Sequence, residues 1–298
     1  MNKLELSEVF EHEVKKSNYL AMSAQFDLTA IEQKIINYIT TLIKPPTVDE
    51  DGKLHYTNLF ELDFSKFCKM AGIKICGASY NVIRKSLLSM YRKKIEVKLP
   101  EKNAFTGLGI LDRYEYKDNE GYAVILLDDR MTPYLFELKS NFLKYQPQYT
   151  MLLKSKYSIR IYEWLKSILD KEISLKQRRY KKEIEIDNLT GEEKRERIKI
   201  MIKIRKQTHR ISLKLDDIKK FLSLSKNYYG YNTIYSQILA PAIKEINELS
   251  DIYIENCEYD SETKSVIFDV RLKDIKERHI TDDIIEERIN SVNKKSNK

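Results

Sequence analysis

The chain has 298 residues, of which 42% are hydrophobic and 33% charged, and its formal net charge is +8. This length favours about two domains with real cores, and only 8 Gly and 6 Pro exclude a collagen-like or loop-rich chain. The basic excess favours a polyanionic partner, either nucleic acid or an anionic membrane surface, although a lysine-rich proteome would produce the same excess.

Three cysteines, Cys68, Cys76 and Cys257, form no Cys-x-x-Cys pair, which favours a reduced, cytosolic setting. The first residues are polar and lack the apolar core of a secretory signal. No run of about 18 apolar residues occurs, so we expect no transmembrane helix. The sequence therefore predicts a cytoplasmic protein without a membrane partner.

The first helix of the chain has a clear start and a clear end. Thr29 and Glu32 have the spacing of a capping box, and an apolar stripe at helical spacing runs through residues 28–42. Pro45 and Pro46 follow and end the helix.

Two further helices and a set of strands complete the first half. A short helix is predicted to begin near residue 63 or 65 and to stop at Gly72, and a third helix covers roughly residues 79–92. Alternating apolar residues predict strands at 95–99, 108–116 and 122–128. The order of three helices followed by strands is that of a helical core with a β wing.

The second half repeats this order after a polar segment, residues 139–150, that reads as a linker. Its first helix is predicted at residues 156–170, a short helix at about 216–222, and a long helix at roughly 231–249. Alternating apolar residues between 252 and 272 then predict a hairpin.

The stretch from Leu239 to Cys257 is the most informative, because a helical apolar stripe leads directly into a strand. Pro241 lies inside the stripe and predicts a kink or a junction. A long helix followed by a hairpin is how a winged-helix domain ends. We predict an α+β fold with two tandem winged-helix domains, each a three-helix core plus a β-hairpin wing. The expected parts are an N-terminal domain (1–138), a linker (139–150), a C-terminal domain (151–273) and a flexible charged tail (274–298).

Residues 171–210 form an unusually basic segment within the second half, with 14 Lys and Arg against 7 Asp and Glu. Ile184 and Ile186 indicate a strand, and the residues after Gly191 indicate a helix or a second strand. Two interpretations stay open: a basic arm that lies on DNA phosphates, and a solvated insertion.

Sequence patterns for catalysis or cofactor binding are missing. Gly72 and Gly77 have the glycine spacing of a phosphate-binding loop, but Ala78 and Ser79 follow where Lys and Ser or Thr are needed. The four histidines are scattered and form no metal-ligand pattern, which argues against a metal-dependent strand-nicking enzyme. We expect no catalytic residue, no metal site and no cofactor.

Three blocks carry a resemblance to a known family: VKKSNYLAMSAQFDLTAIEQKIINYI (14–39), KYSIRIYEWLKSI (156–168) and LAPAIKEINELSDIYIE (239–255). In this order they resemble the plasmid replication initiators of the theta-replicating, iteron-binding class, the Rep proteins (Rep_3 type). The resemblance covers about residues 9–273.

The resemblance implies that the protein binds short direct repeats of double-stranded DNA at a plasmid origin and recruits host replication proteins. It also implies a homodimer in equilibrium with a monomer, dimerisation often through the N-terminal domain, repression of the protein's own gene by some dimers, and no nuclease or polymerase chemistry. The alternative is a tandem winged-helix transcriptional regulator without an origin function.

The resemblance places the second recognition helix at Tyr231 through Gln237 and beyond. Members often have Phe and two or three Lys or Arg before the Pro-Ala element, whereas this chain has Ile234 to Gln237 with no cation. Asn232 and Gln237 suit adenine, so we predict an AT-leaning repeat, with phosphate contacts from the basic segment. The predicted DNA-binding residues are Ser79, Asn81, Arg84, Lys85, Arg92 and Lys93 in the first domain, Asn232, Thr233, Ser236, Gln237 and Lys244 in the second, and Lys203, Arg205 and Lys206 in the basic segment.

Several residues of the quoted blocks are predicted to have structural roles instead. We expect Tyr157, Ile161, Trp164 and Leu165 to lie in the core. Arg160 and Glu163, one helical turn apart, are expected to hold the two domains together.

Overall fold

The computed structural model describes most of the chain. The described residues are 10, 12–22, 24–52, 54–99, 104–117, 120–136, 138, 142–182, 191–225, 227–228 and 230–296.

The first winged-helix unit has a helical core and a small sheet. Its elements are β1 (Val14–Ser17), α1 (Asn18–Met22), α2 (Ala30–Thr41), β2 (Thr47–Val48), β3 (Leu54–His55), β4 (Leu59–Asp63), α3 (Phe64–Met70), α4 (Gly77–Arg92), β5 (Lys94–Leu99), β6 (Ala104–Gly109), β7 (Leu111–Glu115), β8 (Tyr122–Leu127), α5 (Thr132–Leu135), β9 (Phe142–Tyr145) and α6 (Gln148–Met151). The central sheet has the order β4-β8-β7, and all its pairs are antiparallel.

The second unit repeats this arrangement around a three-stranded sheet of order β10-β12-β11. Its elements are α7 (Lys156–Lys182), α8 (Gly191–Lys206), β10 (His209–Lys214), α9 (Leu215–Phe221), α10 (Tyr231–Ile234), a π-helical turn (Tyr235–Leu239), α11 (Ala240–Leu249), β11 (Ile252–Asp260), β12 (Ser265–Leu272) and α12 (Ile275–Ser296).

The equivalence of the two sheets confirms the predicted fold of two winged-helix units. In each, a strand leads directly into the second helix, and the third helix precedes the strands that form the wing. The capping box at the start of α2 is also confirmed, since Thr29 Oγ1 accepts from the backbone N–H of Glu32 and the Glu32 carboxylate accepts from that of Thr29.

The strand predicted at residues 108–116 is two strands that belong to different sheets. β6 ends at Gly109 and pairs with β5, whereas β7 begins at Leu111 and pairs with β8. The first strand ends at Gly109, which packs closely against Asp128. The Asp128 Oδ2 lies 2.6 Å from the position that a Cβ on residue 109 would occupy. A glycine permits this close approach, and apolar alternation alone does not reveal it.

From residue 142 onward, the segment predicted as a linker is part of the core. β9 pairs with β1 in the register Val14↔Tyr145, and the side chains of Leu143, Tyr145 and Tyr149 are buried. The sequence analysis was wrong here because the partner strand of β9 lies far away in the chain, and only that pairing satisfies the backbone of so polar a segment.

The tail predicted to be flexible is a helix. α12 begins with a second capping box: the backbone N–H of Glu277 donates to Asp274 Oδ1 at 2.9 Å, and that of Asp274 donates to Glu277 Oε2 at 2.8 Å. Ile285 and Ile289, one turn apart, are buried. The Asp-x-x-Glu spacing was a readable start signal.

The basic segment is largely helical. α7 extends to Lys182, well beyond its predicted end, and α8 has no buried residue. The strand predicted for Ile184 and Ile186 lies outside the described residues.

One buried arginine of α7 connects the two units. The Arg160 guanidinium donates to the carbonyl oxygens of Leu20 (3.4 Å), Ala24 (2.7 Å) and Phe221 (3.4 Å). It also lies between two aromatic rings, 3.9 Å from the ring centroid of Phe26 and 3.8 Å from that of Phe221. Burial lowers the pKa of Arg160 to about 9, so the group stays charged at neutral pH. The expectation that Arg160 joins the units is confirmed.

Glu163, one turn after Arg160, joins α7 to the β1–β9 pair. Its Oε1 accepts from Lys16 Nζ at 2.7 Å and from the hydroxyl of Tyr145. All three side chains are buried. Burial lowers the pKa of Lys16, and the Glu163 carboxylate opposes this shift.

Removing the Arg160 side chain should destabilise the protein strongly. Arg160→Ala leaves three buried carbonyl groups without their donor and opens the space between two rings, so the free energy of unfolding should fall by about 3 kcal/mol or more. Urea unfolding followed by circular dichroism measures this. Arg92→Ala, at an exposed position, should change it by no more than about 0.5 kcal/mol; equal losses in both variants would contradict the role of Arg160.

The ion pair between Glu277 and Arg271 should make stability pH-dependent. Hydrogen bonds from Arg271 lower the pKa of Glu277 to about 2, below the ordinary value of 4.5. A depressed carboxylate pKa stabilises the fold above about pH 4.5, and the contribution is lost as the pH falls towards 2. Glu277→Gln, which keeps a capping side chain, should lower the urea midpoint at pH 6, and its difference from the wild type should shrink by pH 2. Glu287→Gln, at an exposed position of α12, should show no such convergence.

Candidate nucleic-acid interface

The third helix of the first unit, α4, presents a polar face to solvent. Ile83, Leu87 and Met90 are buried against the core, and their spacing turns Asn81, Lys85 and Arg92 outward, where all three are exposed. Two cations and an amide on one face of a helix beside a wing can contact both phosphates and base edges.

Three other residues predicted for this face are occupied by contacts within the protein. Ser79 Oγ donates to the Lys74 carbonyl at 2.6 Å. The Arg84 guanidinium lies 5.0 Å from the ring centroid of Tyr116. Lys93 Nζ is 2.7 Å from the carboxylate of Glu32, which is 1% exposed, so Lys93 neutralises a buried acid. We therefore remove Ser79, Arg84 and Lys93 from the proposed interface.

The third helix of the second unit contains a π-helical turn at Tyr235–Leu239, just before Pro241. Pro241 has no backbone N–H and cannot donate to the carbonyl of Gln237, as the α-helical pattern requires. A π turn inserts an extra residue and resolves this conflict without a break. Three consecutive residues of this turn, Tyr235, Ser236 and Gln237, are exposed. The π turn is the junction that the sequence analysis predicted at Pro241.

The remaining residues predicted for this helix lie on or near the same surface. Asn232 and Lys244 are exposed, and Thr233 is half-buried with its carbonyl accepting from Ser236 Oγ at 3.3 Å. Asn232, Ser236, Gln237 and Lys244 are therefore accessible to a ligand.

An aromatic stack, which the sequence analysis missed, connects this helix to the wing. The Tyr231 ring stacks on Tyr259 of β11, with 4.8 Å between centroids and 14° between planes, and Tyr235 packs against Tyr231 at 5.5 Å. The spacing of Tyr231 and Tyr235, one helical turn apart, was a partial signal. The stack fixes the helix relative to the hairpin.

Arg205 and Lys206 of the basic segment lie away from this surface. Arg205 and Lys206 line a groove with Asp251 and Leu272, at the end of the β11–β12 hairpin where Ile252 pairs with Leu272. Tyr231 contacts the opposite end, near the hairpin tip. α8 leads directly into β10, and this connection sets its position. We therefore remove Arg205 and Lys206 from the proposed DNA interface. Lys203 is exposed on the same helix.

The described residues contain no group of three or more His, Cys, Asp or Glu side chains that could hold a metal ion. Within the same residues, no helix combines the length and the apolar character needed to cross a bilayer.

Comparisons with known proteins agree with this architecture. A family model described as initiator replication protein, WH1, matches residues 13–166, and one described as initiator Rep protein, WH2, matches residues 214–277. A replication initiation protein of Escherichia coli is 27% identical over 262 residues, which cover 87% of this chain and 69% of that protein.

The crystal structure of the Pi initiator protein in complex with iteron DNA superposes with a TM-score of 0.59 at 16% identity, over 92% of this chain and 100% of that chain. This similarity shows a shared fold.

Lys85 and Arg92 of α4 should differ from Lys93, which follows the helix, in their effect on DNA binding. Lys85→Ala and Arg92→Ala should each lower the slope of log Kd against log salt concentration by about one, since each removes one phosphate contact. Lys93→Ala should leave the slope unchanged and instead destabilise the fold, because it strands the buried Glu32 carboxylate. Fluorescence anisotropy with duplex DNA at several salt concentrations measures the slopes. A full unit lost in Lys93→Ala would contradict the assignment.

Proposed function

Because this chain belongs to the initiator replication protein family, with both its WH1 and its WH2 regions, we propose that it initiates replication of a plasmid. It binds repeated double-stranded sites at the origin and brings host replication proteins to them, in the cytoplasm of the host. It acts through binding and carries no catalytic chemistry of its own.

The proposal rests on one observation: two recognition helices belong to units that the buried Arg160 contacts hold together. α4 exposes Asn81, Lys85 and Arg92, the π-turn region exposes Asn232 and Gln237 beside its wing, and the Arg160 contact fixes the two units in one arrangement. Two reading surfaces at a fixed separation suit a site that is read in two parts and repeated in one direction. The Pi initiator, which shares this fold, forms a complex with iteron DNA.

The two surfaces divide the work of recognition. Lys85 and Arg92 in the first unit supply cations for the phosphate backbone, which positions the protein without reading sequence. The amides of Asn232 and Gln237 in the second unit can donate to N7 and accept from N6 of adenine, so we expect an AT-leaning site. Tyr235 adds an aromatic edge that can contact a thymine methyl group.

Binding to the direct repeats that accompany the gene tests this function. In fluorescence anisotropy at physiological salt, a duplex with one repeat should bind about a thousandfold more tightly than a scrambled duplex of equal composition. Asn232→Ala and Gln237→Ala should each cost about 1–3 kcal/mol on the repeat and little on the scrambled DNA. Gln207→Ala is the matched control, because Gln207 is exposed outside the proposed interface.

Two outcomes would overturn parts of the proposal. Equal binding to both duplexes would mean that only the basic charge is being measured. Preference for a single palindrome over direct repeats would favour a transcriptional regulator with the same fold.

A further inference from the structure

A groove of about 320 Å³ lies between the end of α8 and the start of α12. Its apolar lining comprises Ile202, Ile275 and the nearly buried Leu272. Ile202 is 47% exposed and Ile275 64%, and Ile198, one turn earlier on α8, is 59% exposed. Isoleucines that are this exposed and adjacent form a patch of the kind that marks an interaction site.

The acidic residues of the groove are engaged within the protein. Asp251 accepts from the Tyr162 hydroxyl at 2.8 Å, and Asp274 caps the first turn of α12. Lys273 is engaged as well, since its Nζ donates to the carbonyl of Asn247 at 2.5 Å. These three charges hold the walls of the groove together.

The other charged residues that line the groove are all basic: Arg205, Lys206 and Arg278. The buried Nε of Arg278 has no hydrogen-bond partner among the described residues. The groove therefore combines aliphatic walls with cations.

The groove is remote from the start of the second recognition helix, where Asn232 and Gln237 are exposed. It lies where Ile252 pairs with Leu272, whereas the Tyr231 stack lies near the tip, where Asp260 pairs with Ser265. At about 3.3 Å per residue, these ends are on the order of 25 Å apart. DNA bound to the recognition helix would leave the groove open.

We propose that this groove binds an acidic amphipathic helix of a partner protein, with apolar side chains on the isoleucines and carboxylates on the three cations. Aliphatic walls gain nothing from phosphates, which argues against DNA. A second copy docked through the same groove would bring two patches of net positive charge together, which argues against self-association. The inference rests on the proposed function in one respect, because a recruiting protein needs a surface that DNA leaves free.

The test uses the full chain and a fluorescein-labelled helical peptide of about 18 residues, long enough to hold helical structure. The peptide carries leucines at i, i+3, i+4 and i+7 with glutamates elsewhere, and a matched peptide has every glutamate replaced by lysine. The acidic peptide should bind and the basic one should not. Ile202→Ser and Ile275→Ser should each weaken binding about tenfold, and Lys206→Glu should weaken it as well.

Ile280→Ser is the matched control, because Ile280 is 61% exposed on α12 and does not line the groove. It should leave peptide binding unchanged, and all four variants should keep the wild-type urea midpoint and affinity for the repeat DNA.

Four results would overturn the inference: no binding of the acidic peptide, equal binding of both peptides, an equal loss in Ile280→Ser, or a weaker DNA affinity in Ile202→Ser. Sedimentation velocity can give a fifth contradicting result. If the groove variants lose self-association that the wild type shows, the groove binds a second copy of this chain instead. Failure of the wild-type protein to prefer the repeat would instead overturn the proposed function and leave the peptide result standing.

Discussion

The arrangement of the two winged-helix units depends on a charged group that has no access to water. Arg160 lies between the rings of Phe26 and Phe221 and donates to carbonyl groups of both units. A buried guanidinium is costly unless hydrogen bonds and ring contacts compensate it. Here the two terminal nitrogens and both flat faces find partners in Leu20, Ala24 and Phe26 of the first unit and in Phe221 at the end of α9. The two units can therefore adopt few other relative orientations without stranding this charge.

The rest of α7 follows the same logic. Glu163 accepts from Lys16 and Tyr145, and Lys166 Nζ lies 3.5 Å from the carboxylate of Asp251, outside the helix. Each of these pairs is directional, so a rotation or shift of α7 would break several at once. Apolar packing alone would tolerate such shifts more readily, because it has no preferred direction. The buried charges thus specify how α7 packs, and the exposed residues remain available to bind partners.

The second unit separates two surfaces by the length of its hairpin. The tip end, with the Tyr231–Tyr259 stack and the exposed Gln237, is suited to the DNA grooves. The base end, with Ile202 and Ile275, is suited to a protein. In the two proposals above, this separation would let one molecule hold DNA and a second protein together, with α8 serving the protein partner.

The sequence by itself determined the elements whose signals are local. The Thr29–Glu32 capping box, the stripes of the recognition helices and the final hairpin all depend on neighbours within a few residues, and the family blocks indicated two winged helices. Only the tertiary structure decided the roles of β9, Lys93 and Arg205, because their partners lie in distant parts of the chain: β1, Glu32 and the hairpin base. A lysine on a helix surface looks the same in sequence whether it faces solvent or a buried carboxylate. Folding brings residues that are distant in sequence within hydrogen-bond reach, and this decides which of the two environments the lysine has.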